Sequence, residues 1–350
     1  NLWKPLHDMG IHIDFAHNTF RWDNEAMDKA HVFCVIVGFS REVSEKRLYL
    51  HETPDAPEEL RHPRNINAYL ADAPDAFVWN RSAPICDVPK IGIGNKPIDG
   101  GFYLFSDDEK ADFLKSEPGA EPYFRKWIGA REFLHGESRW CLYLGNATFS
   151  ELKGLPRCRE RIEAVREYRL ASKSAPTRKL AETPARFHVE NMPRGNSIVI
   201  PEVSSERRRY IPMGFIGPDT LCSNLVKLIP NASIYHFGVL HSQFHNAWMR
   251  TVCGRLKSDY RYSGGVVYNN FVWPEPSGSQ REEVERCARA VLDARFAQEG
   301  ATLADMYDPD NETFFPDLMH AHRALDAAVE AAYGVDFKGD EEKIVAHLFR

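Results

Sequence analysis

Residues 237–276, FGVLHSQFHNAWMRTVCGRLKSDYRYSGGVVYNNFVWPEP, contain three successive hydrophobic patterns. LHSQFHNAWMRTVCG is amphipathic with a helical period, and YSGGVVYNNFVWPEP predicts a strand that ends in prolines. Between them, GRLKSDYRYS predicts an extended segment. Residues two apart share one face of an extended segment, so Lys257, Asp259 and Arg261 could enter the groove of a nucleic acid together.

The chemistry of this trio suits a G·C base pair. Lysine donates hydrogen bonds to guanine O6 and N7, and aspartate accepts one from cytosine N4. The alternative is a surface ion pair in a loop. The same stretch places His241 and His245 four residues apart, a spacing found in metal sites. Ser242 stands where a zinc protease has glutamate and no third ligand is implied, so we predict no metal site but a packed helix.

Just upstream, VSSERRRY at residues 203–210 is a second basic cluster. Arginine and serine donate hydrogen bonds to phosphate oxygens, which fixes a protein on a duplex without specifying sequence. We expect at least one of the three arginines to contact the DNA backbone and another to form a salt bridge. The candidate backbone contacts are Ser204, Ser205, Arg207, Arg208 and Arg209.

The remaining patterns predict an α+β chain. We expect short strands at SIVIPEV, RRYIPMGFI and SIYHFGVL, and a β-hairpin around the G-E-S turn of FRKWIGAREFLHGESRWCLYL. A capping box formed by Ser106 and Glu109 starts a helix that runs to Pro118, and a basic helix spans about 155–174. Three helices rich in Ala, Glu and Arg follow residue 280.

The N-terminal region begins with two predicted strands, IHIDFAHNTFRW and HVFCVIVGF, joined by a polar helical turn, DNEAMDKA. The second strand is apolar on both faces, which is typical of an interior strand of an α/β sheet. We expect the other strands of that sheet to lie upstream, in a larger protein. Residues 51–85 are rich in Pro, Asp, Glu and Asn and predict a linker with a short helix near 64–71.

Composition narrows the class of protein. The hydrophobic fraction of 43% and the charged fraction of 27% are those of a globular protein. Seven scattered cysteines without a C-x-x-C pair argue against a disulfide framework, and no secretory signal is visible, so we expect a cytoplasmic protein. Residues 151–261 carry 19 Lys and Arg against 10 Asp and Glu within a total net charge of −6. A basic middle region favours a polyanionic partner, although it also fits an ordinary solvated surface.

The quoted motifs resemble MmeI-like type IIG (IIL) restriction–modification enzymes and their adenine-specific methyltransferase relatives. Residues 237–276 are similar to the end of their target-recognition domain. The motifs KPIDGGFYLFSDDEK, FRKWIGAREFLHGESRWCLYL and IPEVSSERRRYIPMGFI match earlier parts of it. IDFAHNTFRWDNEAMDKAHVFCVIVGF resembles the last strands of the family's methyltransferase domain, and the tail ending EKIVAHLF resembles its C-terminal domain.

The resemblance implies a parent protein that transfers a methyl group from S-adenosylmethionine to adenine N6 in double-stranded DNA. The family's Asn-Pro-Pro-Tyr/Phe tetrapeptide and glycine-rich cofactor motif occur nowhere in these residues, so the resemblance implies recognition rather than catalysis here, with no cofactor bound by this segment. The family's base contacts correspond to Glu202, Asn224, Lys257, Asp259 and Arg261, with a supporting contact near Leu225. Glu202 could instead pair with a nearby arginine.

The resemblance also implies a role for an aromatic ring at the N-terminal end. Enzymes that modify a base rotate it out of the duplex and stack it on such a ring. Phe20 or Trp22 stands where the family supplies this ring, and the alternative is a core aromatic on a strand. A nuclease, where the parent has one, would lie upstream.

The expected order is the last strands of a class I (Rossmann-like) methyltransferase sheet (1–50), a linker (51–85), an α+β recognition domain (86–276) and a helical C-terminal domain (277–350). Two other functions compete with sequence-specific recognition. One is non-specific binding of single strands, which would stack bases on aromatic side chains such as Trp248, Tyr260, Tyr262 and Phe271. The other is a protein-interaction scaffold that docks partners on the helical tail.

Overall fold

The structure, a computed structural model, describes residues 2–22, 32–42, 44–51, 55–193 and 195–350. The expected helical turn DNEAMDKA lies outside the described residues. The chain divides into two compact units. Unit 1 comprises Asn1–Asp87, Ser242–Cys287 and His322–Arg350, and unit 2 comprises Val88–His241 and Ala288–Ala321. The domain boundaries expected from the sequence stay a prediction.

Strands are short except at the N-terminal end. In chain order they are β1 (His12–Trp22), β2 (Val32–Ser40), β3 (Arg47–His51), β4 (Glu58–Arg61), β5 (Gly92–Ile93), β6 (Leu104–Phe105), β7 (Phe124–Ile128), β8 (Trp140–Leu142), β9 (Ser197–Pro201), β10 (Val203–Ser204), β11 (Gly214–Ile216), β12 (Thr220–Cys222), β13 (Val226–Pro230), β14 (Gly254–Leu256) and β15 (Asp259–Arg261).

Helices dominate the C-terminal end. In chain order they are α1 (Trp3–Asp8), α2 (Asp107–Ser116), α3 (Ala130–His135), α4 (Phe149–Lys153), α5 (Pro156–Leu170), α6 (Ala175–Lys179), α7 (Ile234–His241), α8 (Gln243–Val252), α9 (Gly278–Phe296), α10 (Leu303–Met306), α11 (Pro316–Ala332) and α12 (Glu341–Leu348). The mixed α+β fold with a helical C-terminal region confirms the predicted fold class, and α9, α11 and α12 confirm the three predicted helices.

Unit 1 contains a four-stranded sheet in the order β2-β1-β3-β4. β1 pairs antiparallel with β2 and parallel with β3, and β3 pairs antiparallel with β4. β2 lies at the edge of this described sheet, so the prediction that HVFCVIVGF is an interior strand, with the other strands of its sheet upstream, stays a prediction. Several apolar side chains of β2 are exposed there: Val32, Phe33, Val35, Ile36 and Phe39. An apolar sequence indicates that the side chains of a strand favour burial. Only the tertiary structure shows whether neighbouring elements bury them.

The segment predicted as a linker belongs to unit 1. β4 joins the sheet, and the helix expected near 64–71 is absent; a turn stands there instead. The fully buried Asn67 side chain explains the turn, because its Oδ1 accepts hydrogen bonds from the backbone N–H groups of Tyr69 (2.9 Å) and Ala71 (3.2 Å). An asparagine that bonds its own backbone competes with a helix.

The strand predicted for residues 262–276 is also wrong. Gly264–Tyr268 form one turn of π-helix, and the residues that follow have no regular strand. Amide side chains determine this conformation. Asn270 Nδ2 donates to the carbonyl oxygen of Trp79 at 2.8 Å, and Asn269 Nδ2 donates to that of Arg81 at 2.8 Å. These partners lie about 190 positions away, so no local pattern predicts them.

Unit 2 is built on two four-stranded sheets, ordered β11-β9-β13-β5 and β12-β7-β8-β6. The predicted capping box of α2 is confirmed: Ser106 Oγ accepts from Glu109 N at 3.2 Å and Glu109 Oε2 accepts from Ser106 N at 2.7 Å. β7 and β8 pair antiparallel as expected, but α3 stands between them, since Gly129 precedes it and Gly136 ends it with a positive φ of 64°.

One strand predicted in unit 2 is a helix in the structure. SIYHFGVL forms α7, and six of the eight residues of α7 are buried. A helix buried on every side loses the amphipathic period, so its sequence cannot be distinguished from that of a buried strand. The predicted basic helix is present as α5, which begins with Pro156 at its first turn.

Arg169 on α5 is fully buried and organises the loops around it. Its guanidinium donates hydrogen bonds of 2.8–3.0 Å to five backbone carbonyl oxygens, those of Pro97, Ile98, Leu180, Thr183 and Arg186. Burial lowers its pKa from the usual arginine value. The planar guanidinium suits this role because it presents five donors in a fixed geometry.

Candidate nucleic-acid interface

Glu202 and the Asn224–Leu225 turn lie side by side in unit 2. Glu202 follows β9, and its backbone N–H donates to the carbonyl oxygen of Leu225 at 3.0 Å. The turn joins β12 to β13 and is closed by Ser223, whose Oγ accepts from Leu225 N at 3.3 Å. Leu225 is 58% exposed, and Asn224 is partly exposed. The sheet thus brings together two candidate base contacts that are 22 positions apart in the sequence.

Lys227 is the residue at this site that the sequence analysis missed. It lies in β13, and its Nζ is 2.7 Å from Glu202 Oε2. The two side chains are only 11% and 12% exposed. The sequence does contain a sign of this ion pair, because VKLIP places a lysine inside an apolar strand. A charged side chain in a buried strand requires a partner of opposite charge. Glu202 therefore has an ion pair with Lys227, a partner that the sequence analysis did not name.

The basic cluster occupies the turn that follows β10. Arg207 Nη2 forms an ion pair with Asp310 at 2.6 Å, which provides the salt bridge expected of one arginine and raises the pKa of Arg207. Arg207 N also donates to Ser205 Oγ at 3.3 Å. The guanidinium of Arg209 lies 5.5 Å from the ring centroid of Tyr210, and both Arg207 and Arg209 are exposed. Arg208 is partly exposed.

Ser204 is less suited to the predicted contact with the DNA backbone. It is only 3% exposed, and its Oγ has no hydrogen-bond partner among the residues that the structure describes. The alternation of a strand explains the difference from Ser205, because Ser204 is the last residue of β10 and its side chain is turned away from solvent. Ser205 is partly exposed.

Lys257, Asp259 and Arg261 lie in a β-hairpin of unit 1. Leu256 pairs with Asp259, and Lys257 and Ser258 form the two-residue turn between β14 and β15. Asp259 is partly exposed, Arg261 is exposed, and Tyr260 between them is buried. These two residues share one face of β15 as predicted, but the placement of Lys257 on the same strand is wrong. Its φ of +56° places it in the left-handed region, at the turn.

The hairpin is stiffened by Arg255. Its guanidinium lies 4.0 Å from the ring centroid of Tyr260, and its Nη1 donates to the carbonyl oxygen of Ser258 at 2.8 Å. The cation–π contact with Tyr260 and the hydrogen bond to the turn together hold the hairpin backbone in place. The exposed ends of Lys257, Asp259 and Arg261 are therefore presented by a short element with an anchored backbone.

The candidate ring for a rotated base lies on β1. Phe20 is partly buried and stacks on His51, with ring centroids 5.4 Å apart and an interplanar angle of 25°. Trp22 is 54% exposed, and its ring centroid lies 6.1 Å from that of Phe20. Trp22 therefore has more free surface than Phe20, although the assignment of a stacking role to either ring stays a prediction.

The aromatic residues proposed for single-strand stacking are buried. Trp248, Tyr260, Tyr262 and Phe271 are at most 7% exposed. Two of them have interior hydrogen bonds: Trp248 Nε1 donates to the carbonyl oxygen of Val267 at 2.9 Å, and the Tyr262 hydroxyl lies 2.9 Å from His245 Nε2. Bases cannot stack on rings inside the fold, so these side chains do not support the single-strand hypothesis.

His241 and His245 do not share a helix. Ser242 has extended backbone, with ψ of 165°, and separates α7 from α8. His241 Nε2 contacts Arg295 and lies 3.1 Å from the Tyr307 hydroxyl within unit 2. Burial lowers the pKa of His245 to about 3, so this ring is neutral. The i,i+4 spacing in the sequence therefore does not place the two histidines on one face of a single helix.

These observations divide the candidate base contacts into two groups. Glu202 and Asn224 belong to unit 2, with Lys227 behind them, whereas Lys257, Asp259 and Arg261 belong to the hairpin of unit 1. Each group combines acceptors and donors, the chemistry that discriminates base pairs in the major groove.

Residues 72–275 match the family model described as the MmeI target recognition domain. The chain belongs to the MmeI family. Residues 276–350 match the MmeI C-terminal domain, and residues 1–50 match the MmeI DNA-methyltransferase domain. The resemblance inferred from the motifs is therefore confirmed, and the match to the recognition domain includes both groups of candidate base contacts.

Two relatives of the MmeI family extend the comparison. DNA methyltransferase A of Bacillus subtilis (strain 168) is 42% identical over 344 residues, which is 98% of this chain and 38% of that protein. The structure of the type IIL restriction–modification enzyme MmeI in complex with DNA superimposes with a TM-score of 0.89 and 43% identity, and covers 99% of this chain and 46% of that one. The chain thus spans less than half the length of either relative. No helix in the described ranges is long and apolar enough to cross a membrane.

Proposed function

We propose that this chain is the sequence-specific, double-stranded DNA recognition module of an S-adenosylmethionine-dependent adenine-N6 DNA methyltransferase of a restriction–modification system. The observation that carries the proposal is the hairpin β14–β15. It presents an exposed lysine, a partly exposed aspartate and an exposed arginine from a segment that matches the MmeI target recognition domain. The related MmeI structure contains DNA, which supports the same partner for this chain.

Base discrimination is assigned to the two groups of polar side chains. Lys257 and Arg261 donate to guanine, whereas Asp259 and Glu202 accept from cytosine N4. Asn224 pairs with adenine through its amide, and Leu225 supplies an apolar contact.

Backbone contacts are assigned to the turn after β10, with Ser205, Arg208 and Arg209 as the leading residues. The proposal for Ser204 is weaker because Ser204 is buried, and Arg207 would reach a phosphate from its ion pair with Asp310. Arginine–phosphate contacts are sequence-independent and weaken with salt, since binding releases counterions from the DNA. Loss of one such contact lowers the affinity for all sites similarly.

The methyl transfer itself is assigned to the upstream methyltransferase part of the parent protein. The described residues do not fit S-adenosylmethionine, because the sheet β2-β1-β3-β4 contains no strand that passes through a glycine-rich loop into a helix. On β1, Phe20 or Trp22 would stack the rotated adenine. The exposed apolar face of β2 fits burial against the upstream part. Because the substrate is DNA, we assign the parent protein to the cytoplasm. A fused endonuclease, where present, also belongs upstream.

The proposal is tested with the parent protein, restored with its upstream part. We would incubate it with S-adenosylmethionine and DNA of mixed sequence, and map N6-methyladenine by single-molecule sequencing. One short motif methylated on one strand is the expected result. Absence of methylation by a folded protein that binds the cofactor would contradict the proposal and favour a protein-interaction scaffold.

Variants then separate base contacts from backbone contacts. Exchange of Lys257 and Asp259 should change the preferred base pair at one position of the motif, whereas Arg208→Ala should weaken methylation of all sites similarly. Equal, sequence-independent losses from both changes would contradict the assignment of the hairpin.

A further inference from the structure

Three potential metal ligands lie on one face of the sheet in unit 1. They come from three adjacent strands: His17 from β1, His51 from β3 and Glu58 from β4. His51 is directly opposite Glu58, and His17 is opposite Tyr49, two residues before His51. Because side chains alternate along a strand, Tyr49 and His51 share a face, and the register places His17 and Glu58 on that face too.

The ligand atoms converge. One nitrogen from each histidine and one carboxylate oxygen of Glu58 all lie within 4.8 Å of one another. His17 Nδ1 is 3.4 Å from Glu58 Oε2. Zinc holds such ligands at about 2.0–2.2 Å, so bound nitrogens and oxygens lie roughly 3.3 Å apart. The closest pair already has about this separation, and small side-chain rotations of all three residues would close the remaining gaps.

The protonation of His51 is fixed by its neighbour. Nδ1 lies 2.9 Å from the carbonyl oxygen of Ala56, and because a carbonyl only accepts, Nδ1 carries the proton and donates. In the neutral ring, Nε2 then carries a lone pair. This atom is buried and has no hydrogen-bond partner among the described residues. Metal-binding histidines characteristically donate their other N–H to a carbonyl or carboxylate in this manner.

Both imidazole rings are held in place by stacking. His17 lies on Tyr49 with centroids 4.2 Å apart and an interplanar angle of 5°, and His51 lies against Phe20. His51 also lines a cavity of about 900 Å³ in unit 1. Fixed rings reduce the ordering cost of binding.

We propose that His17, His51 and Glu58 bind a divalent transition-metal ion, with Zn²⁺ as the leading candidate. Two imidazole nitrogens and one carboxylate oxygen suit zinc, whereas Mg²⁺ and Ca²⁺ prefer oxygen ligands alone. Three protein ligands leave a fourth position for water. The ion would link β1, β3 and β4 beside the ring proposed for the rotated base. The proposal does not depend on the DNA-recognition function.

The test measures metal binding by the full chain without DNA. The protein is stripped with a chelator and titrated with Zn²⁺ by isothermal titration calorimetry, and Co²⁺ is added in parallel to record its visible d–d absorption. We expect one ion per chain and a Co²⁺ band of four-coordinate intensity. A chain that binds no Zn²⁺, or binds it without a defined stoichiometry, overturns the proposal.

Variants identify the ligands. His51→Gln and Glu58→Gln should each weaken Zn²⁺ binding at least about tenfold and reduce the Co²⁺ band. Glu58 is half-exposed, so its variant is expected to fold even where His51→Gln does not. His62→Gln is the matched control, since His62 is more than half exposed and pairs with Glu45 outside the cluster. Zinc binding that survives Glu58→Gln and His51→Gln unchanged, or that is lost equally in His62→Gln, overturns the assignment.

Discussion

Lys227→Met is expected to destabilise unit 2 and to uncouple Glu202 from its surroundings. At a separation of 2.7 Å, two unit charges attract by about 6 kcal/mol when the effective dielectric constant is about 20. Removing both charges from water costs several kcal/mol, so a net coupling of about 2–3 kcal/mol remains. The single variant loses this coupling and leaves the Glu202 carboxylate, only 12% exposed, without its lysine. We therefore expect a loss of about 3 kcal/mol in the free energy of unfolding.

A double-mutant cycle measures the coupling directly. Lys227→Met, Glu202→Gln and the double variant are unfolded with urea and followed by circular dichroism. The double variant should be less destabilised than the sum of the single variants by about 2–3 kcal/mol. Lys126→Met is the control, because Lys126 is an exposed lysine on β7 of the same unit and its loss should change stability by less than about 0.5 kcal/mol.

Additivity within about 0.5 kcal/mol would refute the reasoning, because the ion pair would then contribute nothing to the fold. In the parent protein, Lys227→Met should also relax base discrimination at one position of the methylated motif, since Glu202 loses the contact that orients it. Full discrimination by a correctly folded Lys227→Met variant would show that Lys227 only stabilises the sheet.

Three further variants test separate features. Lys257→Gly should leave the free energy of unfolding unchanged or raise it by up to about 1 kcal/mol, because glycine accepts the φ of +56° without strain. The variant should still lose base discrimination. A clear loss of stability would contradict the turn geometry. Arg169→Lys should cost at least about 3 kcal/mol in urea unfolding, because an ammonium has three donors for the five carbonyl oxygens that the guanidinium satisfies. His245→Gln should reduce the pH dependence of stability. The pKa of His245 is about 3 in the folded chain against 6.5 ordinarily, so its stabilising contribution is present above pH 6.5 and is lost as the pH falls toward 3. The wild type should lose up to about 1.4 kcal/mol more per pH unit than the variant between pH 6 and 5, and equal slopes would mean that His245 is not buried as a neutral ring.

The sequence predicted correctly those elements that depend only on residues close together in the chain. Ser106 and Glu109 form the capping box of α2, and the three C-terminal helices have exposed and buried faces that keep the helical period. α7 lacks that signal because both its faces are buried. Residues 254–263 were predicted as one extended segment, whereas residues 254–261 form a hairpin with its turn at Lys257 and Ser258. No local rule requires a lysine to adopt positive φ there.

The candidate site was predicted in its residue types but not in its arrangement. Asp259 and Arg261 share a face because a strand alternates, which the sequence states directly. Ser204 and Ser205 are adjacent and chemically alike, yet one is buried and the other partly exposed, because β10 ends between them. Lys227 was not recognised because its partner lies 25 positions away and meets it only through the pairing of β9 with β13.

The sequence by itself determined the family, the α+β class, the helical C-terminal region and the donor and acceptor chemistry available for bases. Tertiary structure alone decided which polar groups are buried in pairs, how β1, β3 and β4 are ordered and paired, and that His17, His51 and Glu58 share one face. The physical reason is that hydrophobic period and capping depend on residues within one or two turns of each other. Strand order, register and the partner of a buried charge depend on chain segments that meet only when the protein folds.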